Sequence, residues 1–81
     1  MKIKVLLFAR AKEIFGESCR FVEVPEGSSI EEVVERLAEG PVRLVLKEIP
    51  LVFAVNESFE NAEKKLVHDD QLAIMTPVAG G

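Results

Sequence analysis

One stretch does most to limit what this chain can fold into. Ile30, Val33, Val34 and Leu37 recur at i, i+3, i+4 and i+7, which builds a single apolar stripe on a helix. Glu31, Glu32, Glu35 and Arg36 fall on the opposite side. Ser28 with Glu31, or Ser29 with Glu32, supplies a capping box at its start, and Gly40-Pro41 ends it. A single amphipathic helix covers only one face of a sheet. The rest of the sequence must therefore supply a sheet that this helix packs against.

The strand signals are present. Lys2 to Ala9 reads as a strand with Ile3, Val5 and Leu7 on one face and Lys4, Leu6 and Phe8 on the other. Apolar residues on both faces suit a strand inside the sheet. Arg10 to Phe15 reads as a short helical turn stopped by Gly16, and Ser18 to Val24 as a second strand closed by Pro25. The spacer between them is too short for a parallel crossover, so the pair is an antiparallel hairpin. Val42 to Ile49 fits helix or strand, and Pro50 ends it. Leu51 to Asn56 is a strand, Asn56-Glu57-Ser58 a turn, and Glu60 to Lys65 a polar loop or short helix. His68-Asp69-Asp70 is a turn before a last strand, Gln71 to Thr76. The class is α+β: a β-grasp, ubiquitin-like roll with a mixed sheet and one main helix on one face. The domain occupies residues 1–76, and an extended tail residues 77–81.

Charge and composition exclude several functions. The formal net charge of −4, from 14 acidic and 10 basic residues, argues against a nucleic-acid binder or a protein held on an anionic membrane. It fits a protein that docks on a basic patch of a partner. No apolar stretch approaches a membrane span, and nothing resembles a signal peptide, so the cytoplasm is the expected location. One cysteine, Cys19, cannot make an internal disulfide. With one Cys and one His, no metal-site spacing exists and none is expected.

Templates for side-chain catalysis also fail. The five glycines stand at 16, 27, 40, 80 and 81, none in a phosphate-binding loop. No serine lies in a nucleophile elbow. His68 reads as a solvated turn residue rather than a base, because a base needs a pocket and an orienting partner. Cys19 reads as a small buried strand residue rather than a reactive thiol. Phe8, Phe21 and Phe53 read as core or interface.

The tail is the informative part: Thr76-Pro77-Val78-Ala79-Gly80-Gly81. Glycine is about 7% of residues, so two in the last two places is roughly a 0.5% coincidence. Pro77 cannot donate a further ladder hydrogen bond. Five residues then project, reaching roughly 17 Å when extended. Two glycines without side chains can thread a narrow channel and carry the Gly81 carboxylate into another protein's active site. ATP would convert that carboxylate to an acyl-adenylate, and a sulfur donor would displace AMP to leave a thiocarboxylate.

The sequence resembles the small subunit of molybdopterin synthase, also called molybdopterin-converting factor subunit 1, a ubiquitin-like sulfur-carrier family. The resemblance rests on Ile3-Lys4-Val5-Leu6-Leu7-Phe8-Ala9-Arg10-Ala11-Lys12-Glu13, on Phe53-Ala54-Val55-Asn56, and on Pro77-Val78-Ala79-Gly80-Gly81. It implies a thiocarboxylate on Gly81, which donates sulfur to precursor Z within a heterotetramer. The implied partners are a large subunit that holds the catalytic side chains, an adenylating E1-like enzyme that uses ATP, and a sulfur-donor protein. No cofactor is implied to stay bound. Phe8, Lys12, Phe59 and Met75 fall at partner-binding positions, followed by Pro77, Val78, Ala79 and Gly80.

The chain departs from that family in two places. Ile74-Met75-Thr76-Pro77 stands where the family commonly reads Phe-Phe-Pro-Pro, and Asp69 stands at a turn position that usually holds glycine. Met keeps an adaptable apolar contact, and Asp tolerates the left-handed region. The alternative readings are a sulfur carrier for thiamin or amino-acid synthesis and a ubiquitin-like conjugation tag.

Overall fold

The computed structural model describes residues 1–77. The elements are β1 (Lys2–Leu7), α1 (Ala9–Phe15), β2 (Cys19–Glu23), α2 (Ile30–Leu37), α3 (Pro41–Lys47), β3 (Val52–Val55), β4 (Ser58–Glu60) and β5 (Gln71–Met75). Of the two candidate capping boxes, Ser29 with Glu32 forms: the Ser29 hydroxyl accepts the Glu32 N–H at 3.2 Å, and Glu32 Oε1 accepts the Ser29 N–H at 3.1 Å. The N–H groups of Ile30 and Glu31, which have no partner within the helix, donate to the carbonyls of Lys64 and Ala62 at 3.0 and 2.9 Å. The polar 60–65 segment is thereby pinned to the start of α2.

The strands form one sheet in the order β2-β1-β5-β3-β4. β1 and β2 form the expected antiparallel pair, β1 and β5 run parallel, and β3 pairs antiparallel with both β5 and β4. Two hairpins joined through parallel first and last strands, beneath a helix, make the β-grasp arrangement. Ile3, Val5 and Leu7 of β1 and Leu72 and Ile74 of β5 bury their side chains against Ile30, Val33 and Leu37 of α2. Each contributes on the order of 1.5–3 kcal/mol of apolar burial. Ala11 of α1 and Leu66 complete the same core.

Several local expectations change. Gly40-Pro41 does not mark the end of α2, which is capped at Ala38; Pro41 instead opens α3, where its missing N–H costs nothing. The ambiguous 42–49 stretch is helical. Ser58–Glu60 pairs with β3 as a fifth strand that the sequence does not reveal. Cys19 is exposed on the edge strand β2, not buried. His68 is exposed, as expected of a turn residue, but it has partners: Nδ1 accepts the Lys2 N–H at 2.9 Å, and Nε2 lies 3.4 Å from Asp69. Asp69 does adopt the left-handed conformation, with φ +70°.

Candidate functional site

Strand alternation sends Ile3, Val5 and Leu7 toward α2 and leaves Lys2, Lys4 and Leu6 on the other side of the sheet. Phe8 continues β1 in extended conformation, with φ −119°, and its N–H donates to the Ile74 carbonyl at 3.1 Å, so it lies on that other side too. The pairing registers place Cys19, Leu6, Ala73, Ala54 and Phe59 in one transverse row across all five strands. Met75 sits opposite Val52 on the same face. The buried residues of α1 and α2 belong to the core on the reverse side. The face therefore stays open, and Phe59 is 75% exposed and Phe8 48% exposed.

Toward its C-terminal end β1 carries apolar residues on both sides, for different reasons. One side packs under α2; the other is a surface that the described residues do not cover. Exposed aromatic residues on one face make it a candidate contact surface. Phe8, Phe59 and Met75, which the family resemblance marks as partner contacts, come together here although they are distant in sequence. Lys12 is exposed on α1, one turn after Phe8, and its N–H donates to the Phe8 carbonyl at 3.3 Å. Leu6, Val52, Ala54 and Ala73 belong to the face and were not among the candidates. The alternation in β1 already contained Leu6, whereas the other three required the register.

β5, the central strand, leads out of this face through Met75 and Thr76 to an exposed Pro77. A groove of about 600 Å³ flanks the exit, lined by Ala9, Arg10, Ile49, Pro50, Thr76 and Pro77. Val78, Ala79, Gly80 and Gly81 lie outside the described residues.

Among the described residues, no group of three His, Cys, Asp or Glu side chains could hold a metal ion. Glu32 is held below the usual carboxylate range, chiefly by the Ser29 N–H and then the Ser29 hydroxyl, with a smaller effect from Lys65. Glu32 belongs to the cap of α2, on the side away from the open face. The described residues thus offer an open, largely apolar part of the sheet and a strand that leads out from its middle.

The profile of the ThiS family matches residues 5–81. The chain belongs to the ThiS family. One relative, the molybdopterin synthase sulfur carrier subunit of Arabidopsis thaliana, is 35% identical over 81 residues, covering all of this chain and 84% of its own length. That relative bears out the resemblance read from the opening strand, the third strand and the tail. Among solved structures, small archaeal modifier protein SAMP1 from Haloferax volcanii superposes with a TM-score of 0.83 over the whole of both chains at 19% identity. A chain of the protein–protein complex of subunits 1 and 2 of molybdopterin-converting factor from Helicobacter pylori 26695 gives 0.69 at 21% identity, again over both whole chains. At such identities the two structures show that this ThiS-family chain shares their β-grasp fold.

Proposed function

We propose that this ThiS-family chain is the sulfur carrier of molybdenum cofactor biosynthesis. The observation that carries the reading is the full-length relationship to a molybdopterin synthase sulfur carrier subunit. In this reading residues 1–76 are the recognised domain and residues 77–81 the working tail, with the Gly81 carboxyl carbon as its reactive atom. An adenylating enzyme joins that carboxylate to AMP from ATP and releases pyrophosphate. A sulfur-donor protein then displaces AMP and leaves a thiocarboxylate, which gives its sulfur to precursor Z in the large synthase subunit.

The open sheet face supports this division of labour. It offers the large subunit an apolar surface that contains Phe8, Phe59 and Met75, while Pro77 and the residues after it lead toward the catalytic groups on that subunit. In this reading no carrier side chain need touch the reacting atoms. The same tail chemistry would serve a conjugation tag, and the shared fold does not separate the two; the sequence relationship favours the carrier.

The test is the intact mass after incubation with ATP, an adenylating enzyme and a sulfur source. The expected product has one oxygen replaced by sulfur at Gly81. Deleting Gly81 should abolish sulfur transfer and leave the fold intact, and undiminished transfer by the truncated chain would overturn the assignment.

A further inference from the structure

The apolar row Leu6-Ala73-Ala54-Phe59 explains attraction to a partner but not direction, because apolar contact is non-directional. A carrier must lie one way round for its end to enter an active site. The next row along the strands, about 7 Å away, supplies a polar landmark. There Phe21 on β2 faces Lys4 on β1, and Lys4 faces Gln71 on β5. Phe21 is 58% exposed, with the Lys2 and Lys4 ammonium groups 5.0 and 5.9 Å from its ring centroid. Neither lysine pairs with a carboxylate among the described residues. Two acids stand nearby without pairing to either lysine: Glu23 lies 3.9 Å from the N-terminal ammonium, and Asp69, which lines a shallow recess with Lys2, Lys4 and Phe21, lies 3.4 Å from His68.

This corner also reverses the charge of the chain as a whole. Glu31, Glu32 and Glu35 are exposed on α2, on the opposite side of the sheet. On the open face the charged strand residues are Lys2, Lys4 and Glu23. The net charge of −4 is therefore not shared by the strand residues of this face. Lys2 stands six residues before Phe8, about 20 Å along the strand, so the cations mark the end of the face remote from the exit of β5.

We infer that Lys2, Phe21 and Lys4 form an orienting contact that receives an acidic segment of the protein covering the open face. This rests on the proposed function, in which that protein is the large synthase subunit. The aromatic ring holds the two ammonium groups above the sheet, and a partner carboxylate placed there fixes which way the carrier lies. Complementary charges of this kind contribute specificity and association rate more than final affinity.

The experiment measures association of the carrier with purified large synthase subunit by stopped flow at low and moderate salt. K2Q/K4Q keeps both side-chain stems and removes both charges. The expected result is association slowed about three- to tenfold at low salt, a weaker salt dependence, and an unchanged rate with K2R/K4R. The variant makes an acidic chain more acidic, so the sign discriminates. If the partner presents basic groups here, K2Q/K4Q binds at an equal or faster rate, and the inference is overturned. Should K2Q/K4Q fold poorly, the single Lys4→Gln variant is read by the same criterion. Phe59→Ala separates the two levels of the argument. Weakened binding with Phe59→Ala but wild-type rates with K2Q/K4Q sinks the orienting contact alone. Wild-type binding by both variants sinks the open-face reading as well.

Discussion

Asn56 and Asp70 clasp the two turns that bracket the second half of the sheet. The Asn56 Nδ2 donates to Asp70 Oδ1 at 2.9 Å, and the second oxygen of Asp70 accepts the Val67 N–H at 2.8 Å. Asn56 Oδ1 in turn accepts the Gln71 N–H at 3.0 Å. The Asp70 side chain is thus buried with its oxygens satisfied, and no fully buried side-chain polar atom among the described residues lacks a partner. Asn56 itself has φ +48°, a conformation that asparagine accepts more readily than most residues.

Asn56→Ala removes both side-chain bonds, leaves a carboxylate oxygen short of a donor, and places alanine in the left-handed region. The expected loss is about 2 kcal/mol or more, read as a lower urea midpoint. A loss under about 0.5 kcal/mol would show that the clasp contributes little.

Ser29→Ala should cost about 1 kcal/mol by removing the cap of α2. The same cap gives an acid-sensitive component. Glu32 has a lowered folded-state pKa, so its contribution is complete above the ordinary carboxylate value of about 4.3 and is lost as pH falls through the lower folded value. Thermal melts of wild type against Glu32→Gln should therefore differ by a constant amount above the ordinary carboxylate range and converge as pH falls through the lower folded-state value. Parallel pH profiles would contradict this.

Phe8→Glu should leave the melting temperature nearly unchanged, because the ring is 48% exposed in the free chain. Affinity for the large synthase subunit should fall at least about tenfold, since docking would bury a charge without a partner. Calorimetry with undiminished affinity would remove Phe8 from the contact.

Ala9 has φ +51°, where its Cβ is strained. Ala9→Gly relieves that strain but adds freedom to the unfolded chain. The two effects leave a net gain of about 0.5 kcal/mol, the reverse of the usual cost of glycine in a helix. A destabilised variant in urea titration would show that the Ala9 methyl packs usefully against its groove.

The parts of the fold that were legible are those where a local pattern and tertiary packing agree. Ile30, Val33, Val34 and Leu37 follow one helical stripe, and Ser29-x-x-Glu32 announces its start. Ser58–Glu60 is too short and polar to show a period, and only pairing to Phe53, Ala54 and Val55 makes it a strand. Pro41 reads equally as a stop or a start, and the difference lies in whether the next residues, Val42 and Leu46, find something to pack on. Cys19 departs from the burial its residue type leads one to expect, because an edge strand exposes its residues. The site divides in the same way. Phe59 follows from the family resemblance alone, but its place in one row with Ala54, Ala73 and Leu6 is long-range register, which single residues do not encode.

The position of β5 has a mechanical consequence. It is bonded to β1 on one side and β3 on the other, and it leads directly to Pro77. A pull applied beyond Pro77 would load both ladders in shear rather than peel a strand from a free border. Rupture would then require many bonds to fail together, so the domain resists unravelling when it is tugged from its C-terminal side, as the proposed function would require.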